Sequence, residues 1–218
     1  MAHARAAPRE ARALKPHYWE EAKAHLAKRD RVLRRIIRDY PDANLRTRGD
    51  AFQTLARSIV GQQISVKAAQ AVWDRFEALS GRVAPAAVVS LDESAMREAG
   101  LSRMKVAYLK DLAARFHAGE LKPRRWSRMQ DEAIVAELIQ VKGIGRWSVE
   151  MFLIFHLMRP DVLPVGDLGL QRAMERFYNA GEPLTKDGMR ELAVPWRPWA
   201  SVATWYLWRS LDPVPVEY

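Results

Sequence analysis

The sequence predicts an all-α protein, and three observations carry that prediction. Apolar residues recur at helical spacing along nearly the whole chain, no stretch of four or more residues alternates as a strand does, and the stripes are punctuated by cap residues and glycines. Phe52, Leu55, Ala56, Ile59 and Val60 fall at i, i+3, i+4, i+7 and i+8. Ser65 is the expected cap of a helix whose stripe runs Val66, Ala69, Val72, Trp73, Phe76, Leu79 and stops at Gly81. Asp92 caps a short helix ending at Gly100, and Tyr108, Leu109, Leu112, Ala113 and Phe116 mark one ending near Gly119. Ile134, Val135, Leu138 and Val141 mark the next, which stops before Gly143. Met151, Ile154, Phe155 and Met158 follow, closed by Pro160. Asp167 is the natural cap of a helix bearing Leu170, Ala173, Met174 and Phe177, and Thr185 of another short one. The last helix is expected from about Pro198 to Ser210, with Trp199, Val202, Trp205 and Trp208 on its stripe. That makes about nine or ten helices.

Composition narrows the function. The 218 residues suffice for one ordinary domain or two small lobes around a cleft. Cysteine is absent, which excludes disulfides, thiolate zinc sites, iron–sulfur clusters and a cysteine nucleophile. The five histidines show no ligand spacing. Lys and Arg outnumber Asp and Glu 35 to 26, so the chain is expected to meet a polyanion. The charge is uneven: residues 1–50 carry 13 basic and 7 acidic side chains, a net of +6. No apolar run reaches the ~18 residues of a membrane span, and the opening residues lack the apolar core of a secretory signal. A flexible tail over residues 1–15, one domain over 16–218, no membrane partner and a cytoplasmic or nuclear location are expected.

The segment Leu138-Ile139-Gln140-Val141-Lys142-Gly143-Ile144-Gly145-Arg146-Trp147-Ser148 is the most informative. One helix stops, two glycines flank an apolar residue, and a second helix begins. Amides of Gly143 and Gly145, with those of the next helix start, suit a phosphate, and Ile144 pins the helices together. An αα-turn alone explains a lone Gly-x-Gly as well. Val162-Leu163-Pro164-Val165-Gly166-Asp167-Leu168-Gly169-Leu170 lies one helix downstream, and a carboxylate at a helix start there can reach whatever the hairpin holds.

These segments, together with Ser58-Ile59-Val60-Gly61-Gln62-Gln63-Ile64-Ser65, Gly100-Leu101-Ser102-Arg103-Met104-Lys105 and Arg197-Pro198-Trp199 through Trp208-Arg209, resemble the helix-hairpin-helix DNA glycosylase superfamily, and within it the alkylation-repair branch, DNA-3-methyladenine glycosylase II. The resemblance spans roughly residues 50–210 and implies a bilobal helical fold with a cleft, the hairpin falling at about 134–158. It implies catalysis by Asp167, a base pocket of Trp147, Trp208 and Met151, and DNA contacts from Gln62, Gln63, Gly143, Ile144, Gly145, Arg146 and Ser148. It also implies a monovalent Na+ or K+ on the carbonyls of Ile139, Val141 and Gly143, with no other cofactor. The partner would be duplex DNA carrying alkylated bases, met by a monomer. The bifunctional branch carries an attacking lysine where this chain has Trp147, so hydrolysis without strand cleavage is expected. Excision of deaminated or oxidised bases by the same fold, and structure-selective DNA binding without catalysis, remain as alternatives.

Overall fold

The computed structural model describes residues 15–45 and 50–211. Of the expected tail only Lys15 falls among the described residues. The described chain is helical throughout, with thirteen α-helices, one 3-10 turn and no strand. In order these are α1 (Trp19–Arg29), α2 (Arg31–Asp39), α3 (Ala51–Gly61), α4 (Val66–Ser80), α5 (Pro85–Ser90), α6 (Glu93–Glu98) and α7 (Arg103–His117). Then come α8 (Pro123–Trp126), α9 (Asp131–Leu138), α10 (Arg146–Phe155), α11 (Leu168–Tyr178), α12 (Lys186–Leu192), the 3-10 turn Val194–Trp196 and α13 (Ala200–Leu211).

The four expected caps form. Ser65 accepts from the Ala68 amide, Asp92 from Ser94 and Ala95, Asp167 from Leu170, and Thr185 from Gly188. The expected count of nine or ten was low. α1 and α2 lie in the basic N-terminal stretch, which shows in the sequence chiefly as charge, and α5 and α8 are short helices opened by proline at the first position, where the missing N–H costs nothing. Several boundaries also differ. The helix marked from Tyr108 begins at Arg103 on the Ser102 cap, and the helix marked from Met151 begins at Arg146 and ends at Phe155. The last helix starts at Ala200, leaving Pro198 and Trp199 outside it.

The helices sort into two lobes. α3 to α7 pack on one another with α9 and α10, while α1, α2, α11, α12, the 3-10 turn and α13 pack among themselves. The chain thus leaves the terminal lobe after α2, builds the central lobe and returns at α11. Asp30 ties the terminal lobe together. Its Oδ1 caps α2 through Val32 and Leu33, and its Oδ2 accepts from the Tyr178 hydroxyl and the Trp196 indole, each at 2.8 Å. The lobes share a continuous apolar core and meet where Phe155 of α10 stacks on Trp208 of α13, ring centres 5.8 Å apart.

Candidate active site

Asp167 sits at that seam. The Pro164-Val165-Gly166 turn, closed by the Asp167 amide on the Pro164 carbonyl at 2.8 Å, delivers it to the start of α11. Its Oδ1 accepts from the Leu170 amide and from Trp208 Nε1, both at 2.7 Å. Its Oδ2 accepts from Trp147 Nε1 at 2.8 Å. One indole comes from each lobe, so the carboxylate is held across the cleft. A carboxylate offers about four lone-pair sites. Three are taken here, both on Oδ1 and one on Oδ2, which leaves one on Oδ2 for a water or for the charge of a substrate. Asp167 is 9% exposed, so its charge acts in a poorly screened setting.

Beside it lies a cavity of about 420 Å³ between α3, α4 and α10, rimmed by the Gln62–Ser65 loop. Trp147 and Met151 form its α10 wall together with buried Ser148, and Trp73 closes the far side with the Arg57 guanidinium 4.3 Å from the indole centre. Trp147 therefore does two things at once: its ring walls the cavity and its N–H holds Asp167. Trp208 does not line the cavity but lies behind Asp167 on Phe155. Gln63 is exposed at the rim in the left-handed region, φ 59°, and Ile64 is 40% exposed beside it.

The hairpin between α9 and α10 is braced from the central lobe. Gly143 has φ 78°, and a Cβ there would fall 2.1 Å from the Tyr108 ring, so conformation and space both require glycine. Asp111 accepts from the Lys142 amide at 2.9 Å, and Gln62 donates its side-chain amide to the Gly143 carbonyl at 2.8 Å. Ile144 is buried between the helices. Gly145 is the N-cap of α10, with no side chain capping the helix and open space where its Cβ would be. No side chain caps the start of α10 and the space beside Gly145 is open, which suits an approaching phosphate.

The expected ligands of a monovalent cation, the carbonyls of Ile139, Val141 and Gly143, are neutral donors of the kind that replace a K+ hydration shell. Val141 and Gly143 each accept one hydrogen bond already, from the Ile144 amide and from Gln62, which leaves a second lone pair on each. The donor set fits such an ion. Among the described residues no cluster of His, Asp and Glu suits a metal.

Of the expected site residues, Asp167, Trp147 and Trp208 converge, while Met151, Ser148, Gln62 and Gln63 surround the adjoining cavity. Arg146 points elsewhere: its guanidinium grips Glu132 with two bonds, at 2.9 and 2.6 Å. Sequence reasoning missed Tyr108 and Asp111, one turn apart on α7, and Glu150, a buried carboxyl 3.9 Å from Arg146 that burial pushes above its usual range. It also missed Gly169, whose Cβ would lie 3.1 Å from Asp167 Oδ1 and 3.1 Å from the Trp208 ring. The only signal for it was a glycine in the first turn of a helix. Lys105 serves within the protein, donating to the Val60 carbonyl at 2.7 Å, and burial lowers the pKa of its amine.

Comparison with known proteins places this architecture. The family model described as HhH-GPD superfamily base excision DNA repair protein matches residues 56–198. DNA-3-methyladenine glycosylase 1 of Schizosaccharomyces pombe is 30% identical over 197 residues, which cover 87% of this chain and 86% of that one. The structure of S. pombe 3-methyladenine DNA glycosylase, Mag1, in complex with abasic DNA aligns with a TM-score of 0.76 at 29% identity, covering 91% of this chain and 98% of that one. DNA-3-methyladenine glycosidase from Bacillus halodurans aligns with a TM-score of 0.79 at 33% identity, covering 92% and 93%.

Proposed function

The chain belongs to the HhH-GPD superfamily of base excision DNA repair proteins, and from that membership we propose that it is a monofunctional glycosylase, releasing alkylated purines from duplex DNA and leaving the strand intact. The observation that carries the reading is the carboxylate Asp167, held by two indole N–H groups beside a cavity and within one helix of an open hairpin. A DNA-binding hairpin alone has no use for such a carboxylate.

The chemistry follows from the geometry. A stacked base is out of reach, so the nucleotide must rotate out of the duplex at a cost of a few kcal/mol. Backbone amides at Gly145 and the start of α10 grip phosphate, and Gln63 at the cavity rim stands ready to fill the gap. A purine alkylated on a ring nitrogen is cationic, and its bond to the sugar is already weak. What the protein adds is negative charge where the sugar becomes oxocarbenium-like, and the remaining lone pair of Asp167 Oδ2 to orient a water. The aromatic face of Trp147 favours a flat cation by roughly 0.5–2 kcal/mol. Selectivity then rests mainly on the lability of the damaged bond. With Trp147 at the position of the bifunctional branch's lysine, that position offers no amine to attack the sugar.

The carbonyls of Ile139, Val141 and Gly143 would hold a Na+ or K+, which would add positive charge beside the bound phosphate. One chain carries the carboxylate, both indoles and the hairpin, so a monomer has a complete site. Among the described residues no helix is long and apolar enough to cross a membrane. The enzyme is expected to work where the DNA is, in the cytoplasm or the nucleus.

The test is base release from methylated duplex DNA, resolved by base identity, with borohydride added in parallel. Free alkylpurine and an uncut abasic strand are expected. Release of deaminated or oxidised bases alone would move the substrate, and a stoichiometric covalent adduct would contradict the monofunctional assignment.

A further inference from the structure

The outer face of α2 carries Arg31, Arg34, Arg35 and Arg38, at i, i+3, i+4 and i+7, so all four lie on one stripe and all are exposed. Lys28 and Arg29, also exposed, precede the stripe at the end of α1. The opposite face, Leu33, Ile36 and Ile37, is buried in the terminal lobe. Little acid answers this charge. Asp30 is committed to the α2 cap, Tyr178 and Trp196, and Asp39 lies 3.8 Å from Arg38 with both side chains mostly in water, a pairing of small worth. Arg34 is drawn to the Ala27 carbonyl at the end of α1, and Arg35 lies 5.8 Å from the Phe177 ring centre. Arg31 and Arg38 mark the two ends of the stripe.

The C-terminal end of α2 is linked to the Asp167 site through Arg209. Tyr40, which closes α2, has the Arg209 guanidinium 5.4 Å from its ring centre, and Arg209 follows Trp208, whose indole holds Asp167. The other end of α2, at its cap Asp30, is fixed against Tyr178, which ends the helix that Asp167 begins, and against Trp196 of the 3-10 turn that precedes α13. Arg38 thus stands at the Asp167 end of the lobe and Arg31 away from it. Arg209 also keeps two buried N–H groups, Nε and Nη1, without an acceptor at this junction, which is costly unless one arrives.

We infer that the α2 stripe is a second DNA-contacting surface, which receives phosphates of the duplex flanking the flipped nucleotide and extends the grip beyond the hairpin. The apolar face of α2 is already buried, so the helix has nothing to insert into a lipid surface. What it offers is a row of guanidinium groups about 10 Å long, enough for about three phosphates of one strand. The inference rests on the glycosylase reading for its ligand.

The experiment compares wild type with the double variant Arg31→Gln/Arg38→Gln, and with Arg82→Gln/Arg97→Gln as a control of equal charge change on exposed residues of the central lobe. Binding to undamaged duplex is measured across salt concentrations, and single-turnover base release is measured on methylated duplex at saturating protein. The α2 variant should lower the log–log salt slope by about 0.9 for each phosphate it no longer neutralises and weaken binding at low salt several-fold. Its release rate at saturation and its melting temperature should match wild type. An unchanged slope overturns the inference, as does an equal change in the control, and equal weakening on polyglutamate would assign the stripe to an acidic protein instead. If wild type releases no base at all, the glycosylase reading fails, while the slopes still decide whether α2 touches DNA.

Discussion

The indole N–H of Trp147 lies 2.8 Å from Oδ2 of Asp167, and this one bond joins the wall of the cavity to the carboxylate. It also restricts Asp167. With Trp208 and the Leu170 amide on Oδ1, the side chain cannot rotate without breaking a charge-assisted bond. The carboxylate is oriented before substrate arrives, which is the condition for stabilising charge at no reorganisation cost.

Trp147→Phe keeps an aromatic wall and removes the donor. Single-turnover release should fall about 10- to 100-fold, the equivalent of one charge-assisted hydrogen bond of roughly 1.5–3 kcal/mol, while binding to lesion-bearing duplex stays close to wild type. Asp167→Asn should abolish release with binding retained, because the amide still offers an oxygen to the Leu170 amide but no negative charge. Release by Asp167→Asn near the wild-type rate would remove this carboxylate from the mechanism.

Gly169→Ala separates stability from activity. Gly169 occupies the first turn of α11, where alanine is the better helix former by about 0.5–1 kcal/mol. Its backbone is not in the left-handed region, so only the neighbouring side chains object to a methyl group. The Cβ would crowd Asp167 Oδ1 and the Trp208 ring, both at 3.1 Å, and push them apart by a few tenths of an ångström. The variant should melt at or above the wild-type temperature and release base about tenfold more slowly, since small misplacements at a reacting centre are expensive. Equal loss of stability and activity would reduce Gly169 to a packing residue.

Local rules made Asp167 and the hairpin legible in the sequence. A cap residue before an apolar stripe, and Gly-Ile-Gly between two stripes, need no tertiary information. The division of labour between Trp147 and Trp208 was not legible, because it exists only where α10 and α13 meet across the two lobes. Tyr108 and Asp111 read as ordinary residues of a helical stripe. Their role depends on the hairpin packing against α7 from about thirty residues away, as the Lys142 amide does on Asp111. α2 was visible as charge before it was visible as a helix, since four arginines dominate nine residues.

His156 should make stability depend on pH. It stacks on Phe152 at 4.8 Å and lies 3.2 Å from the Thr54 hydroxyl, and burial lowers its pKa below the ordinary 6.5, with Asp50 opposing weakly. The unfolded chain therefore binds the proton more readily than the folded one. Stability from the half-buried neutral ring is complete above the unfolded pKa and is lost as pH falls through the interval down to the folded pKa. Urea midpoints between about pH 5 and 8 should rise with pH more steeply for wild type than for His156→Phe. Parallel curves would show that His156 does not titrate in that interval.

The two hairpin glycines should fail in different ways. Gly143 is fixed by the fold, since its φ of 78° alone costs a larger residue about 1–3 kcal/mol, and the Tyr108 ring fills the space where a Cβ would go. Gly143→Ala should lower the melting temperature and lose DNA binding only as a consequence. Gly145 meets nothing within 4 Å at its Cβ position and has φ −99°, which alanine adopts freely, so Gly145→Ala should fold as wild type does. Its methyl group stands where a phosphate must approach the first amides of α10. Binding should weaken by about tenfold, the equivalent of one charged hydrogen bond, and by similar factors on damaged and undamaged duplex, because backbone contacts carry no base information. Melting curves for both variants, read beside binding to both duplexes, separate the two roles. A Gly145→Ala protein that loses only lesion selectivity would place this glycine in the base pocket rather than on the DNA backbone.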